Sequence, residues 1–294
     1  MKYANEIRAA VEMVQSRGIQ PTLERTVNFT RARWEDRSRK KDFARMDLSG
    51  PQVRTILGSK MELMPEKEGL DRDLLLDGIR EPVATGHILS ILKGDDVVLE
   101  VGANIGYYAL MEASRCRKIY AIEPHPENVA RLKRNIELNG YENIEVQHGG
   151  FGEEDGTLKL YTSELSNWHT AKENPGSGSD FIEVGCHRID TFAKAHETPS
   201  FIKMDVEGYE LQVLRGATET LKKVRHLFIE LHGSLLSEDE IREVLDMIDA
   251  SGLKPSLVIQ YDRPGMSLIR QPSFLDEIRE GDRGTFELFF SRED

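Results

Sequence analysis

From Asp96 onward the chain alternates short apolar runs with stretches of helical periodicity, and that rhythm constrains the fold more than any other feature. The runs Val97-VLEV, Lys118-IYAIE, Ile144-EVQ, Phe201-IKMD and Leu227-FIEL have strand length and composition. Helical segments fall between them. One starts at Pro126, a favoured first-turn proline, carries Val129, Leu132 and Ile136 on one face, and ends at Asn139-Gly140. Another is expected from Gly208 to about Lys222, with Leu211, Leu214 and Leu221 inward. Ser237-x-x-Glu240 is a capping box for a helix bearing Ile241, Val244, Leu245 and Ile248, stopped by Ser251-Gly252. Two last strands, around Leu257-VIQY and Phe286-ELFF, flank a turn at Pro264-Gly265. Strands alternating with helices give a doubly wound α/β sheet, here of seven strands with helices on both faces and one antiparallel strand near its end.

The chain has 294 residues, 39% hydrophobic and 31% charged, which suits one large globular domain or a domain with an appendage and excludes global disorder. A net charge of -12 argues against a general affinity for nucleic acid, whose binding is dominated by phosphate neutralisation. Cys116 and Cys186 are too few for a disulfide framework and are not spaced as metal ligands. The opening MKYANEIRAAVEMVQSRG has no apolar h-region, so no signal peptide is expected, and no run approaches the ~18 apolar residues of a membrane span. A reducing cytoplasm is the expected compartment. Residues 25–45 hold eight basic against three acidic side chains, a net +5 that leaves -17 for the rest, with Phe29, Trp34 and Phe43 interleaved. That segment reads either as a patch for an anionic membrane surface or lipid-linked substrate, or as a solvated helix leaning on an acidic body.

The strongest local signal is VVLEVGANIG: a strand ending at Val101, a turn Gly102-Ala103-Asn104-Ile105-Gly106, then a helix. Gly102 permits the tight turn and close backbone approach to a ligand, and Gly106 lets the helix pack closely. The helix start offers free N–H groups to an anionic moiety. A dinucleotide fingerprint needs glycine where Asn104 stands, which disfavours a nicotinamide-dependent oxidoreductase. Two carboxylates sharpen the reading. Glu100 sits at the tip of the first strand, and Glu123, before Pro124, closes the second strand 21 residues after Gly102, where an acid accepts both hydroxyls of a ribose.

The segments GIREPVATGHIL, VVLEVGANIGYY, AIEPHPENVARLKRNIELNG, HRIDTF, FIKMDVEGYELQVLRGA and FIELH follow one another as in the FkbM family of S-adenosylmethionine-dependent methyltransferases, which this chain resembles from about Gly58 to His232. The resemblance implies the Rossmann-like class I methyltransferase fold and transfer of a methyl group to oxygen on a saccharide, glycoconjugate or related small molecule. It divides the chain into an N-terminal helical or extended appendage, residues 1–57, and a methyltransferase domain, 58–294, with a lead-in at 58–95. It further implies that Gly102, Ala103, Asn104 and Gly106 line the methionine part of S-adenosylmethionine and that Glu100 orders its amino group. Glu123, with Pro124, would hold the ribose, and the Gly149-Gly150-Phe151 turn would sit near the adenine. Glu100 replaces the family's usual Asp, and the acid many methyltransferases place beside the adenine is absent, leaving Gln147 and His148 as polar neighbours.

On that topology the tips of the first, fourth and fifth strands meet, gathering Asp205, Glu207, Glu230 and His232 where ligands bind in open α/β sheets. Methyl transfer needs in-line alignment and removal of the acceptor proton. His232 is the expected base, oriented by Glu230 or Asp205, and Lys203 would steady the developing oxyanion or hold substrate. The four groups also have hard-ligand character, but no tight ligand spacing supports a divalent metal, and none is assigned. Residues 156–190 read as an inserted β-hairpin, Gly156-TLKLYT and Phe181-IEVGCHRI, whose Ser163–Asp180 connection bears Trp168 and His169 and serves either as a lid or as an ordinary surface loop. The rival functions are an RNA or protein methyltransferase and a non-catalytic cofactor-binding interaction protein.

Overall fold

The structure is a computed structural model that describes residues 41, 43, 44, 49–161, 170–172, 181–263 and 266–292. Most of the basic segment 25–45, Trp168, His169 and the Pro264-Gly265 turn lie outside the described residues. From that basic segment, Phe43 is described, with the Arg72 guanidinium over its ring at 4.1 Å.

The described chain opens with a hairpin, β1 (Gln52–Ile56) and β2 (Ser59–Leu63), paired antiparallel. Its two-residue turn has Leu57 at φ 50° and Gly58 at φ 96°, the sign that a tight hairpin needs at both central positions. The expected boundary between 57 and 58 falls inside this turn. Helices α1 (Leu70–Asp77) and α2 (Pro82–Ile91) form the lead-in. Then come β3 (Val97–Val101), α3 (Tyr107–Glu112), β4 (Lys118–Glu123), α4 (Pro126–Glu137) and β5 (Ile144–His148). The insertion follows as β6 (Gly150–Phe151), β7 (Gly156–Tyr161) and β8 (Phe181–His187). The second half runs α5 (Ile189–Ala195), β9 (Phe201–Met204), α6 (Glu210–Arg215), β10 (His226–His232), α7 (Glu238–Ala250), β11 (Lys254–Arg263), β12 (Met266–Arg270), α8 (Leu275–Arg279) and β13 (Thr285–Ser291).

The main sheet has the order β12-β11-β13-β10-β9-β3-β4-β5. Strands β10, β9, β3, β4 and β5 are parallel, whereas β13 lies antiparallel between β10 and β11. The seven expected strands are present, and β12 adds an eighth as an antiparallel edge strand on β11. Along the chain β12 therefore comes between β11 and β13. Strand order reverses between β3 and β9, since the chain proceeds from β3 to β4 on one side and returns to β9 on the other. A crevice opens at such a switch point beyond the carboxyl ends of the strands.

Alternation along the buried strands divides the core between two faces. Leu99, Val101, Ile202, Met204, Ile229 and Leu231 pack with the inward residues of α5, α6, α7 and α8. Val98, Ile119, Phe201, Phe228 and Phe289 pack with the hairpin, the lead-in helices, α3 and Leu132 of α4. The buried Asp71–Arg131 ion pair ties α1 to α4. The helix expected from Gly208 to Lys222 is shorter: α6 ends at Arg215, because Gly216 passes so close to the insertion that a Cβ there would lie 2.1 Å from the Gly152 carbonyl oxygen. Past this point Asp190 takes over the hydrogen bonds, accepting the N–H groups of Glu219 and Thr220 and the hydroxyls of Thr218 and Thr220. Leu221 remains buried, as its spacing implied.

Candidate functional site

A cleft of about 650 Å³ opens at the switch point. Its floor is the β3 turn. Gly102 has φ 84°, and a Cβ there would lie 2.0 Å from the Asp205 carbonyl oxygen, so the tips of β3 and β9 approach in a way only glycine allows. Gly106 serves packing instead: a Cβ would meet Leu132 at 2.5 Å, and neither Gly106 nor Ala103 lines the cleft. Asn104 does, with a left-handed backbone at φ 50° stabilised locally by its own side chain, whose Oδ1 accepts from the Ile105 N–H at 2.8 Å.

Glu123 stands at the β4 tip, buried yet lining the cleft with Pro124. Its Oε2 accepts the Asn104 N–H at 2.8 Å, and its Oε1 accepts the His125 N–H at 2.9 Å and Asn128 Nδ2 at 3.3 Å. Burial pushes this carboxyl up to about 7, and those hydrogen bonds restrain the rise. Two oxygens offer about four lone-pair sites, and three are engaged. Beyond it, Gly149, Gly150 and Phe151 form one wall, closed by Leu158, Leu160 and Ala171 from the insertion. A narrow apolar slot beside a fixed carboxylate and a glycine floor fits a nucleoside, so the residues present suit S-adenosylmethionine.

The opposite wall is Asp205, Val206, Glu207 and Tyr209. Lys203 lies beneath it, buried, with Nζ 3.9 Å from both Glu100 Oε2 and Asp205 Oδ2 and 4.7 Å from the Tyr108 ring centroid. Burial would discharge this amine, but the surrounding acids, Glu100 and Asp205 foremost, outweigh it and keep its affinity for the proton above the ordinary value. Glu100 does not line the cleft. It is buried on the other face of β3 beside Glu112, and burial pushes it up to about 7. Its link to the cleft wall is Lys203, whose Nζ lies between it and Asp205.

His232 is also set back from the cleft. Its Nδ1 donates to Glu210 Oε1 at 2.8 Å, while Nε2 faces Glu207 Oε2 at 3.2 Å and Glu230 Oε1 at 3.6 Å. The orienting partner is thus Glu210, rather than Glu230 or Asp205. Burial works against a charged ring, but the Glu210 hydrogen bond together with Glu230 and Glu207 prevails and holds its pKa well above the usual histidine value. Glu207 is pushed up to about 7 by burial, partly offset by His232. Asp205, Glu207 and His232 each offer one donor atom within 4.8 Å of the others, though both ring nitrogens already face carboxylates.

Polar groups continue across the same face of the sheet. Glu230 sits directly opposite Glu287 in the β10–β13 ladder, and Tyr261 donates to Glu287 at 2.5 Å. From the lead-in, Arg80 Nε and the Tyr108 hydroxyl both donate to Glu81, each at 2.5 Å. The structure therefore gathers Asp205, Glu207, Glu230, His232 and Lys203, as the strand order implied. It adds Glu210, Asn128, Arg80 and Glu81. Glu210 is hidden in sequence because an acid in a helix's first turn reads as a dipole partner, and Arg80-Glu81 because they precede the strand rhythm.

A family profile described as the methyltransferase FkbM domain matches residues 100–254. Among curated relatives, the chain is 28% identical over 160 residues to hexuronic acid methyltransferase AglP of Haloferax volcanii, a match covering 52% of this chain and 62% of that protein. It is 27% identical over 217 residues to 2-O-methyltransferase NoeI of Sinorhizobium fredii, covering 64% of this chain and 85% of that one. The chain thus spans less than two thirds of the first of these relatives. A crystal structure of methyltransferase FkbM from Methylobacillus flagellatus aligns with TM-score 0.43 at 20% identity, covering 68% of this chain and 44% of that one.

Proposed function

The chain belongs to the FkbM methyltransferase family, and from that premise we propose that it transfers a methyl group from S-adenosylmethionine to an oxygen of a saccharide, glycoconjugate or related small molecule. When bound, the cofactor supplies a methyl group activated on a sulfonium. The observation that carries the reading is the cleft itself. The glycine floor at Gly102 and the anchored Glu123 carboxylate face, across the switch point, a wall of acids with a histidine behind it.

Glu123 accepts a ribose hydroxyl on its unused lone pair while Asn104, His125 and Asn128 hold the carboxylate still. Phe151, Leu158 and Leu160 enclose the base and exclude water. Asn104 and the Gly102 backbone border the methionine part, with Asp205 nearest its ammonium and Lys203 holding Asp205 in place. An acceptor oxygen then approaches past Asp205 and Glu207. The relative named for hexuronic acid supports a sugar acid as the acceptor class, and the one named for 2-O-methylation supports oxygen as the target. A hydroxyl acceptor requires a base, whereas a carboxylate acceptor does not.

Among the described residues no helix is long and apolar enough to cross a membrane. An anionic surface or lipid-linked acceptor engaged through 25–45 remains part of the proposal, tested by sedimentation with anionic vesicles. Calorimetry with S-adenosylmethionine, S-adenosylhomocysteine and NAD tests the cofactor, and methyl release on a glycan panel tests the acceptor. Selective binding of the first two, followed by turnover on a saccharide, is expected. Binding of NAD alone overturns the reading.

A further inference from the structure

Building on the methyl-transfer reading, we propose that Glu207 takes the proton of the acceptor hydroxyl, and that His232, locked by Glu210, is the positioning residue behind it. Glu207 lines the cleft, whereas His232 does not. The order of groups, going inward, is Glu207, then the His232 ring, then Glu210. Nε2 stands 3.2 Å from Glu207 Oε2, and Nδ1 stands 2.8 Å from Glu210 Oε1. Glu210 is itself fully buried and accepts the Gly208 N–H at 3.0 Å, so the ring's inner partner cannot swing away. An imidazole flanked by carboxylates on both nitrogens carries both protons, and an imidazolium has no lone pair with which to accept a third.

The backbone supports the same order. Glu207 adopts φ 49°, a left-handed conformation that a residue with a side chain keeps only when its surroundings impose it. Thr170, which reaches over from the insertion, donates its hydroxyl to the Glu207 carbonyl at 2.6 Å. Gly208, at φ 93°, continues the bend, and a Cβ there would lie 2.8 Å from Leu235. Asp205 also lines the cleft, but it is the counter-ion of Lys203.

In the step, the acceptor O–H bond breaks as the new O–C bond forms. The proton becomes the carboxyl hydrogen of Glu207, and the electron pair of the broken S–C bond stays on sulfur. The charged and titratable groups acting on Glu207 are His232, Asp205, Glu210 and Arg80, and those acting on His232 are Glu210, Glu230 and Glu207.

Nitrogen-15 NMR of histidine-labelled full-length protein, saturated with S-adenosylhomocysteine, tests the assignment without an acceptor; the His232 signal is identified by its loss in His232→Gln. The expected result is an imidazolium at pH 7, with a Glu207 carboxyl carbon that titrates near neutrality. Glu210→Gln should bind S-adenosylhomocysteine as the wild type does, yet weaken proton binding at His232 at least tenfold, a shift that a merely structural role for Glu210 would not produce. A neutral His232 with a free Nε2 lone pair at pH 7 overturns the proposal and leaves the methyl-transfer reading standing. Failure of the wild type to bind S-adenosylhomocysteine overturns that reading instead, and the proposal with it.

Discussion

Cofactor binding should be linked to protons through Glu123. Burial holds this carboxyl at about 7 in the free protein, against an ordinary value of 4.5. A ribose needs the ionised form, which accepts hydrogen bonds at every lone pair. If only that form binds, a single site titrating near 7 makes the apparent affinity about tenfold weaker at pH 6 than at its alkaline limit, and about twofold weaker at pH 7. Affinity therefore rises with pH and levels off near pH 8. Glu123→Gln should abolish the slope and weaken binding at every pH. Its amide has one acceptor oxygen in place of two, so with Asn104 and His125 still donating the ribose hydroxyl loses its acceptor, at a cost of about 1–3 kcal/mol, or roughly 5- to 150-fold. The assay is isothermal titration calorimetry with S-adenosylhomocysteine from pH 5.5 to 8.5, in buffers of differing ionisation enthalpy. An affinity independent of pH in the wild type, or an unchanged slope in Glu123→Gln, would refute the placement of the ribose on this carboxylate.

Other consequences follow from the same geometry. Gly102→Ala places a Cβ 2.0 Å from the Asp205 carbonyl oxygen at φ 84°, so it should lower the melting temperature and abolish measurable S-adenosylhomocysteine binding. Arg131→Met leaves Asp71 buried and unpaired, which should destabilise by about 3–5 kcal/mol in urea unfolding while the cleft of any folded fraction keeps its affinity. Ser237→Ala removes the side chain that accepts the Glu240 N–H, costing about 1 kcal/mol by the same measurement. The ligand-free protein should lose stability between pH 5 and pH 8. Glu100, Glu123 and Glu207 are raised to about 7, so the stability each contributes is full below its unfolded value of 4.5 and is lost as pH rises through 7. Each contributes up to about 3 kcal/mol, and urea midpoints that rise with pH over this range would contradict the burial of these carboxyls.

The strands and the cleft floor were legible because their signals are local. A run such as VVLEV has one way to be buried, a capping box names its own helix start, and a glycine after a strand marks a turn. Strand order then brings Asp205, Glu207, Glu230 and His232 together. What sequence concealed was direction. Whether Glu100 faces the cleft or the opposite core depends on a pleat of one residue, and the structure turns it toward Lys203 and Glu112. The partner of His232 was equally hidden, since Glu210 comes from a helix start 22 residues away. Helix α6 is shorter than its apolar spacing implies, for a tertiary reason. Apolar spacing continues to Leu221, but the approach of Gly152 to Gly216 and the capping by Asp190 end the helix first. The eighth strand is not legible because Met266–Arg270 is a short edge strand paired on one side only, to β11.

The most direct measurement is a crystal structure with S-adenosylhomocysteine bound. The expected density places a ribose hydroxyl on the remaining lone pair of the Glu123 carboxylate, the adenine between Phe151 and Leu158, and the sulfur on the side of Glu207. Density for the nucleoside elsewhere on the molecule, with Glu123 keeping only its bonds to Asn104, His125 and Asn128, would contradict it.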